Sequence, residues 1–285
     1  MTNWHNVAPA TIYAALAGRV SFQRVMPTGP NPISVAFSVL RSLFTVSRPE
    51  PFGTGSQDHS LLTPPLTRLD REGSGILSEL EADLGMYVET VSSVAPTTLS
   101  RNEALAYWIN VYNAGALVLA GRAQREGKDS VLGIPGGFRE KVIQVEGEVL
   151  SLDDIEHAKL RRFGDPRIHA ALVCGSVSCP TLRSEPYRGD RIGDQLDDQL
   201  RHFLASGAME ADMSQGVARL SRVFLWFGGD FTRPGHMPTF LPARSDRVLQ
   251  SLTPWMDPAI ARWVEEVQPS IEYLGYDWGL RCTVR

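Results

Sequence analysis

From Arg101 to Leu119 the chain reads RNEALAYWINVYNAGALVL, which is apolar nearly all the way round a helix. A helix of that kind must pass through a core, so the rest of the fold has to be built around it. Ser100 and Glu103 have the spacing of a capping box at its start, and Gly121 supplies a stop signal just beyond its end. At about 100° per residue Glu103, Asn110 and Asn113 fall within roughly an 80° arc, one polar stripe on an otherwise buried cylinder. Two readings of the asparagines stay open. Either they satisfy the backbone of neighbouring loops, or with Glu103 they line a substrate pocket.

Residues 47–65, SRPEPFGTGSQDHSLLTPP, are rich in proline, serine and glycine and read as an irregular connector. The division expected there separates an N-terminal extension, residues 1–60, from a main domain, residues 61–285. Within the extension, residues 33–46 form an amphipathic helix after Pro32. Ser34, Ser38, Ser42 and Thr45 make one stripe, and Ile33, Ala36, Phe37, Leu40, Leu43 and Phe44 fill the broad opposite face. Docking on the main domain is the simpler expectation. Weak docking of residues 33–46 on a partner or a membrane surface is the alternative, although the cationic flank that membrane-surface helices favour is missing.

In the main domain, residues 141–145 and 148–152 around Glu146-Gly147 read as a hairpin, and Ser151 to Asp154 starts a second helix that ends at Gly164. The short aliphatic run 167–174 reads as a buried strand, 190–206 as a helix, and 217–227 as a strand before the Gly228-Gly229 break. These elements predict a mixed α/β or α+β fold. Helices pack on a small mixed sheet in a single main domain with an N-terminal helical extension.

A net charge of −4 over 285 residues provides no strong positive field for a nucleic-acid backbone or an anionic membrane, so no nucleic-acid partner is expected. No apolar run reaches the ~18–20 uninterrupted residues of a transmembrane segment, and residues 1–10 lack the features of a secretory signal. Cys174, Cys179 and Cys282 are too few and odd in number for a disulfide framework. Free thiols in a reducing, cytoplasmic setting are the expectation.

The segment Cys174-Gly-Ser-Val-Ser-Cys179-Pro180 follows the expected strand. Its small residues Gly175, Ser176 and Ser178 leave backbone N–H groups able to line a concavity and stabilise an anion. Cys174 is therefore a candidate nucleophile with Cys179 as a second thiol, against the alternative that both only pack. A nucleophilic thiol needs an imidazole or another positive neighbour. On a strand His169 and Cys174 would face opposite sides about 16 Å apart. That leaves His169 with Cys179, if the chain reverses at Gly175, or His157 from the preceding helix. His202 and His236 are weaker candidates, because nothing local places them near the thiols. His169, Cys174 and Cys179 do not have zinc-site spacing, and residues 133–137 have neither the lysine of a P-loop nor a dinucleotide fingerprint. No metal and no cofactor is expected.

The blocks AYWINVYNAGAL (106–117), SLDDIEHAKLR (151–161), DPRIHAALVCGSVSCPTL (165–182), FLWFGGDF (224–231) and YLGYDWGL (273–280) resemble the successive motifs of the domain of unknown function 547 family, over roughly residues 66–280. That resemblance implies no activity. Two positions depart from the family pattern, Arg281 after Leu280 and Phe227 after Trp226. The residues themselves suggest a cysteine-dependent hydrolase or acyl/amide transferase acting on a small-molecule or peptide-like substrate. Cys174 would be the nucleophile, His157 or His169 the base or orienting group, and Gly175 and Ser176 the oxyanion donors. The alternatives are a non-catalytic small-molecule-binding module and an interaction protein that docks through its N-terminal helix.

Overall fold

The computed structural model describes residues 32–235, 238 and 242–285, with side chains from Ala36 onward. His236 lies outside the described residues. The fold is of the α+β class, mainly helical with one two-stranded and one three-stranded sheet. The chain forms two compact units. Among the described residues the larger comprises 38–200, 235, 238 and 277–285, and the smaller comprises 32–37, 201–234 and 242–276. The connector 47–65 lies inside the larger unit rather than between the two.

Helix α1 (Pro32–Thr45) reverses the simplest expectation for an amphipathic helix. Its serine stripe faces inward, with Ser38 donating to Asp153 at 2.8 Å and Ser42 to the fully buried Asp154 at 2.5 Å. Phe37 and Phe44 on the opposite face are 71% and 85% exposed. The hydroxyls win because Asp154 is buried and needs donors. Burial pushes its carboxyl up, but bonds from Ser42 and Ser151 and the charge of Lys141 hold it below the usual carboxylate value.

Helices α2 (Thr63–Glu72) and α3 (Glu81–Ser92) precede the long helix α4 (Arg101–Arg125), which is buried over most of its length. By length and composition α4 could cross a membrane, but 89% of its most apolar stretch is buried inside the protein, as in a core helix. Ser100 caps it, accepting from the Glu103 amide at 3.3 Å. Gly121 does not end it. A Cβ there would lie 2.6 Å from the Leu77 carbonyl oxygen, so this glycine admits a close crossing. The stop is Gly127 (φ 64°), where Gly127 and Lys128 donate to Gln124 and Ala123 in a Schellman motif.

Strands β1 (Ile143–Val145) and β2 (Glu148–Leu150) pair antiparallel. Glu146 (φ 50°) and Gly147 (φ 82°) both take the positive φ of the tight two-residue turn that joins them. Ser151 and Asp154 complete a reciprocal capping box at α5 (Leu152–Asp154). The chain continues as a π-turn over Ile155–Lys159 and a 3-10 turn over Leu160–Phe163, ending at Gly164 in the left-handed region. The buried Lys159 spends its ammonium on the Ser47 carbonyl (3.0 Å), Ser47 Oγ (2.7 Å) and Glu148 (2.6 Å).

The expected strand 167–174 is absent. Asp165 caps a 3-10 helix over Pro166–Ala170, and the aliphatic residues after it bond to a side chain instead of a neighbouring strand. Helix α6 (Ile192–Phe203) follows.

In the smaller unit β3 (Met209–Asp212) pairs antiparallel with β4 (Val217–Leu220). The expected strand 217–227 stops at Leu220, because Ser221 caps α7 (Arg222–Trp226). Helices α8 (Gly228–Thr232), α9 (Ser245–Leu252) and α10 (Pro258–Val267) lead to β5 (Ser270–Tyr273), parallel to β4. Phe203, Phe224 and Phe231 stack in series at 5.8 and 5.4 Å between centroids.

Candidate functional site

Asn113 prepares the approach to Cys174. Its amide N–H donates to the Ala171 carbonyl at 3.0 Å, and its oxygen accepts from the Val173 amide at 3.0 Å. One side chain thus does for residues 171–173 what a partner strand would have done. Asn110 brackets Tyr187 in the same way, at 2.7 and 2.9 Å. Both asparagines line a small recess with Leu182, Arg183 and Tyr187, yet each spends both ends of its amide on backbone. Glu103 does not line that recess. Gly189 passes it so closely that a Cβ would lie 2.5 Å from the Glu103 carboxyl carbon.

The chain then reverses. Gly175 takes φ 77°, with Val131 and Ala120 so near that an added Cβ would lie 3.2 and 3.3 Å from their side chains. A turn from the Cys179 amide to the Ser176 carbonyl at 3.1 Å returns the second cysteine to the first. The Cys174 amide donates to Cys179 Sγ at 2.7 Å, and Cys174 Sγ lies 2.9 Å from Ser176 Oγ.

The C-terminal segment clamps this loop. Val177 donates to the Gly279 carbonyl at 2.9 Å, the Arg281 amide to the Gly175 carbonyl at 2.9 Å, and the Asp277 amide to Ser178 Oγ at 2.9 Å. Ser178 is thereby occupied in holding the frame. Cys174 and Cys179 are both partly exposed and Cys282 is buried, and all three are free thiols.

The π-turn that interrupts the helix after α5 carries Glu156 and His157. Glu156 accepts from the Tyr112 hydroxyl at 3.2 Å. Burial, then the charge of Asp153, raise its carboxyl to about 8, and negative charge at Cys174 adds to the rise. Glu156 is therefore mostly protonated at neutral pH. His157 is buried, 3.4 Å from Arg161 and 4.0 Å from Glu156. His169 is buried in the 3-10 helix, so the separation computed for a strand does not describe its relation to Cys174.

Burial also raises the other thiols. Cys282 is pushed up to about 12, and Cys179 well above its ordinary value by burial and by the neighbouring Cys174 sulfhydryl. Among the described residues no cluster of three or more histidine, cysteine or acidic side chains is arranged to hold a metal.

Glu156 and Tyr112 were not singled out as site residues from the sequence. The signal for Glu156 was its place beside His157, and for Tyr112 its place beside Asn113.

Residues 96–204 match the family model described as "Protein of unknown function, DUF547". That match supports a DUF547 domain over residues 96–204. No curated protein and no solved structure matches the chain. The DUF547 segment contains Tyr112, Glu156, His157, His169, Cys174 and Cys179, whereas blocks 224–231 and 273–280 and the clamping residues 277–281 lie outside it.

Proposed function

We propose that this DUF547 protein is a cysteine-dependent hydrolase or acyl/amide transferase acting on a small-molecule or peptide-like ester or amide. The observation that carries the reading is the Cys174–Cys179 loop, which leaves Cys174 partly exposed, together with the Glu156 carboxyl that Tyr112 holds at 3.2 Å and whose ionisation the charge of Cys174 opposes. In the proposed reaction Cys174 Sγ attacks the acyl carbon. The C–N or C–O bond breaks as the leaving group takes the Glu156 proton. Water then attacks the thioester and returns a proton to Glu156, and the Cys174 thiolate leaves. In the transferase variant an amine or alcohol replaces water.

His157 and Arg161 orient Glu156, His169 is the alternative base, and Gly175 and Ser176 supply oxyanion donors. Cys179 stands beside the nucleophile, and Asn110 and Asn113 act by positioning backbone. The reading requires no cofactor or metal and fits a reducing, cytoplasmic setting.

Incubation with p-nitrophenyl acetate is expected to place an acetyl group on Cys174, detected by peptide mass spectrometry, and Cys174→Ala is expected to lose it. Acetylation confined to lysines, or unchanged in Cys174→Ala, would sink the reading.

A second reading, docking of a partner or membrane surface through α1, is favoured by the exposure of Phe37 and Phe44. Removing residues 1–60 is a poor test, since it takes away Ser38, Ser42 and Ser47, the partners of Asp153, Asp154 and Lys159. Under this reading the full chain floats with phosphatidylcholine vesicles or self-associates in sedimentation velocity, and the double variant Phe37→Ser, Phe44→Ser does neither. A full chain that does neither removes it.

A further inference from the structure

We propose that Cys174 and Cys179 form a peroxide-responsive oxidation site, in which Cys174 is converted to a sulfenic acid and Cys179 closes a reversible disulfide onto it. The reversal at Gly175 and the turn from Cys179 to the Ser176 carbonyl bring Cys179 Sγ to 2.7 Å from the Cys174 amide. That contact places the two Cα atoms no more than about 7 Å apart, within the span a disulfide can bridge.

The loop is also held from outside. Bonds from Val177 to Gly279, from Arg281 to Gly175 and from Asp277 to Ser178 keep its two ends together. Cys174 is partly exposed, which gives a small oxidant access, the more enclosed Cys179 thiol lies beside it, and the buried Cys282 is the less accessible third thiol.

In the first step the Cys174 thiolate attacks one peroxide oxygen. The S–O bond forms, the O–O bond breaks, and hydroxide leaves, taking up the thiol's proton as water. In the second step Cys179 sulfur attacks the sulfenic sulfur. The S–S bond forms, the S–O bond breaks, and the hydroxyl leaves with the Cys179 proton as a second water. Two thiols are oxidised by two electrons and one hydrogen peroxide is reduced to two waters. A dithiol such as dithiothreitol reverses the change and is itself oxidised.

The consequence for activity rests on the reading of Cys174 as a nucleophile, because the disulfide would take that nucleophile away. Formation of the disulfide does not depend on that reading.

The test treats the full chain with hydrogen peroxide, blocks free thiols with N-ethylmaleimide under denaturing conditions, and digests with trypsin without reduction. Residues 168–183 form one tryptic peptide that contains both cysteines. It is expected to lose two hydrogens in mass and take up no maleimide, to regain both alkylation sites after dithiothreitol, and to leave Cys282 alkylated. In Cys179→Ser, where closure is blocked, dimedone is expected to trap the sulfenic acid on Cys174. Full alkylation of both cysteines after peroxide, or pairing of either with Cys282, would overturn the proposal. Acetylation of the reduced protein is measured in parallel. A disulfide without acetylation removes only the nucleophile reading, and acetylation without a disulfide removes only this one.

Discussion

Asn113→Leu is expected to destabilise the protein by about 3 kcal/mol, because leucine of similar size leaves the buried Ala171 carbonyl and Val173 amide without their partner. Each abandoned group costs roughly 1–3 kcal/mol, and the matched volume keeps a cavity term small. For a chain of this length the loss lowers Tm by roughly 5 °C, read by circular dichroism on heating. Asn113→Asp separates the two bonds. At neutral pH it sets a buried carboxylate against the Ala171 carbonyl, so its loss should match or exceed that of leucine, and that loss should shrink at acid pH where a protonated carboxyl can donate to that carbonyl. A leucine variant within about 0.5 kcal/mol of the parent would show that the amide does not hold this segment. The same substitution should blunt the chemistry of Cys174, since residues 171–173 lead directly into it.

Features encoded by neighbouring residues were legible in the sequence. The Ser151–Asp154 capping box, the Glu146-Gly147 turn and the left-handed stop at Gly164 each need only a few residues to specify them. The core helix was legible because only burial suits a run so apolar, and the domain of unknown function 547 family was recognisable from its motifs.

What failed depended on distant partners. Residues 171–173 carry a strand-like aliphatic pattern, but the partner for their backbone is an amide some sixty residues earlier in the chain. Gly121 resembles a helix stop, and only the Leu77 carbonyl explains its place inside the helix. The inward face of α1 is set by Asp153 and Asp154, more than a hundred residues away. Glu156 stands in a family motif but was not read as a site residue, for a related reason. A regular helix and a π-turn aim the residue beside His157 differently, and no local signal announces the π-turn.

The central claim is that Cys174 is chemically distinct from the other two thiols. Burial raises Cys282 to about 12 and holds Cys179 well above its ordinary value, so both are almost wholly protonated at neutral pH. Glu156 is neutral below about 8 and opposes negative charge at Cys174 only above that pH. With the anionic reagent iodoacetate, the Cys174 rate should therefore fall as Glu156 ionises near pH 8, and Glu156→Gln should remove that fall.

The most direct measurement is the iodoacetamide rate of each cysteine in the folded protein between pH 5 and 10, resolved by peptide mass spectrometry. At pH 7 Cys174 is expected to react at least about a hundredfold faster than Cys282, whose thiol burial pushes up to about 12. If Cys174 stays as unreactive as Cys282 until the protein is unfolded, the thiol is a packing residue and the reading of this site as a cysteine enzyme is contradicted.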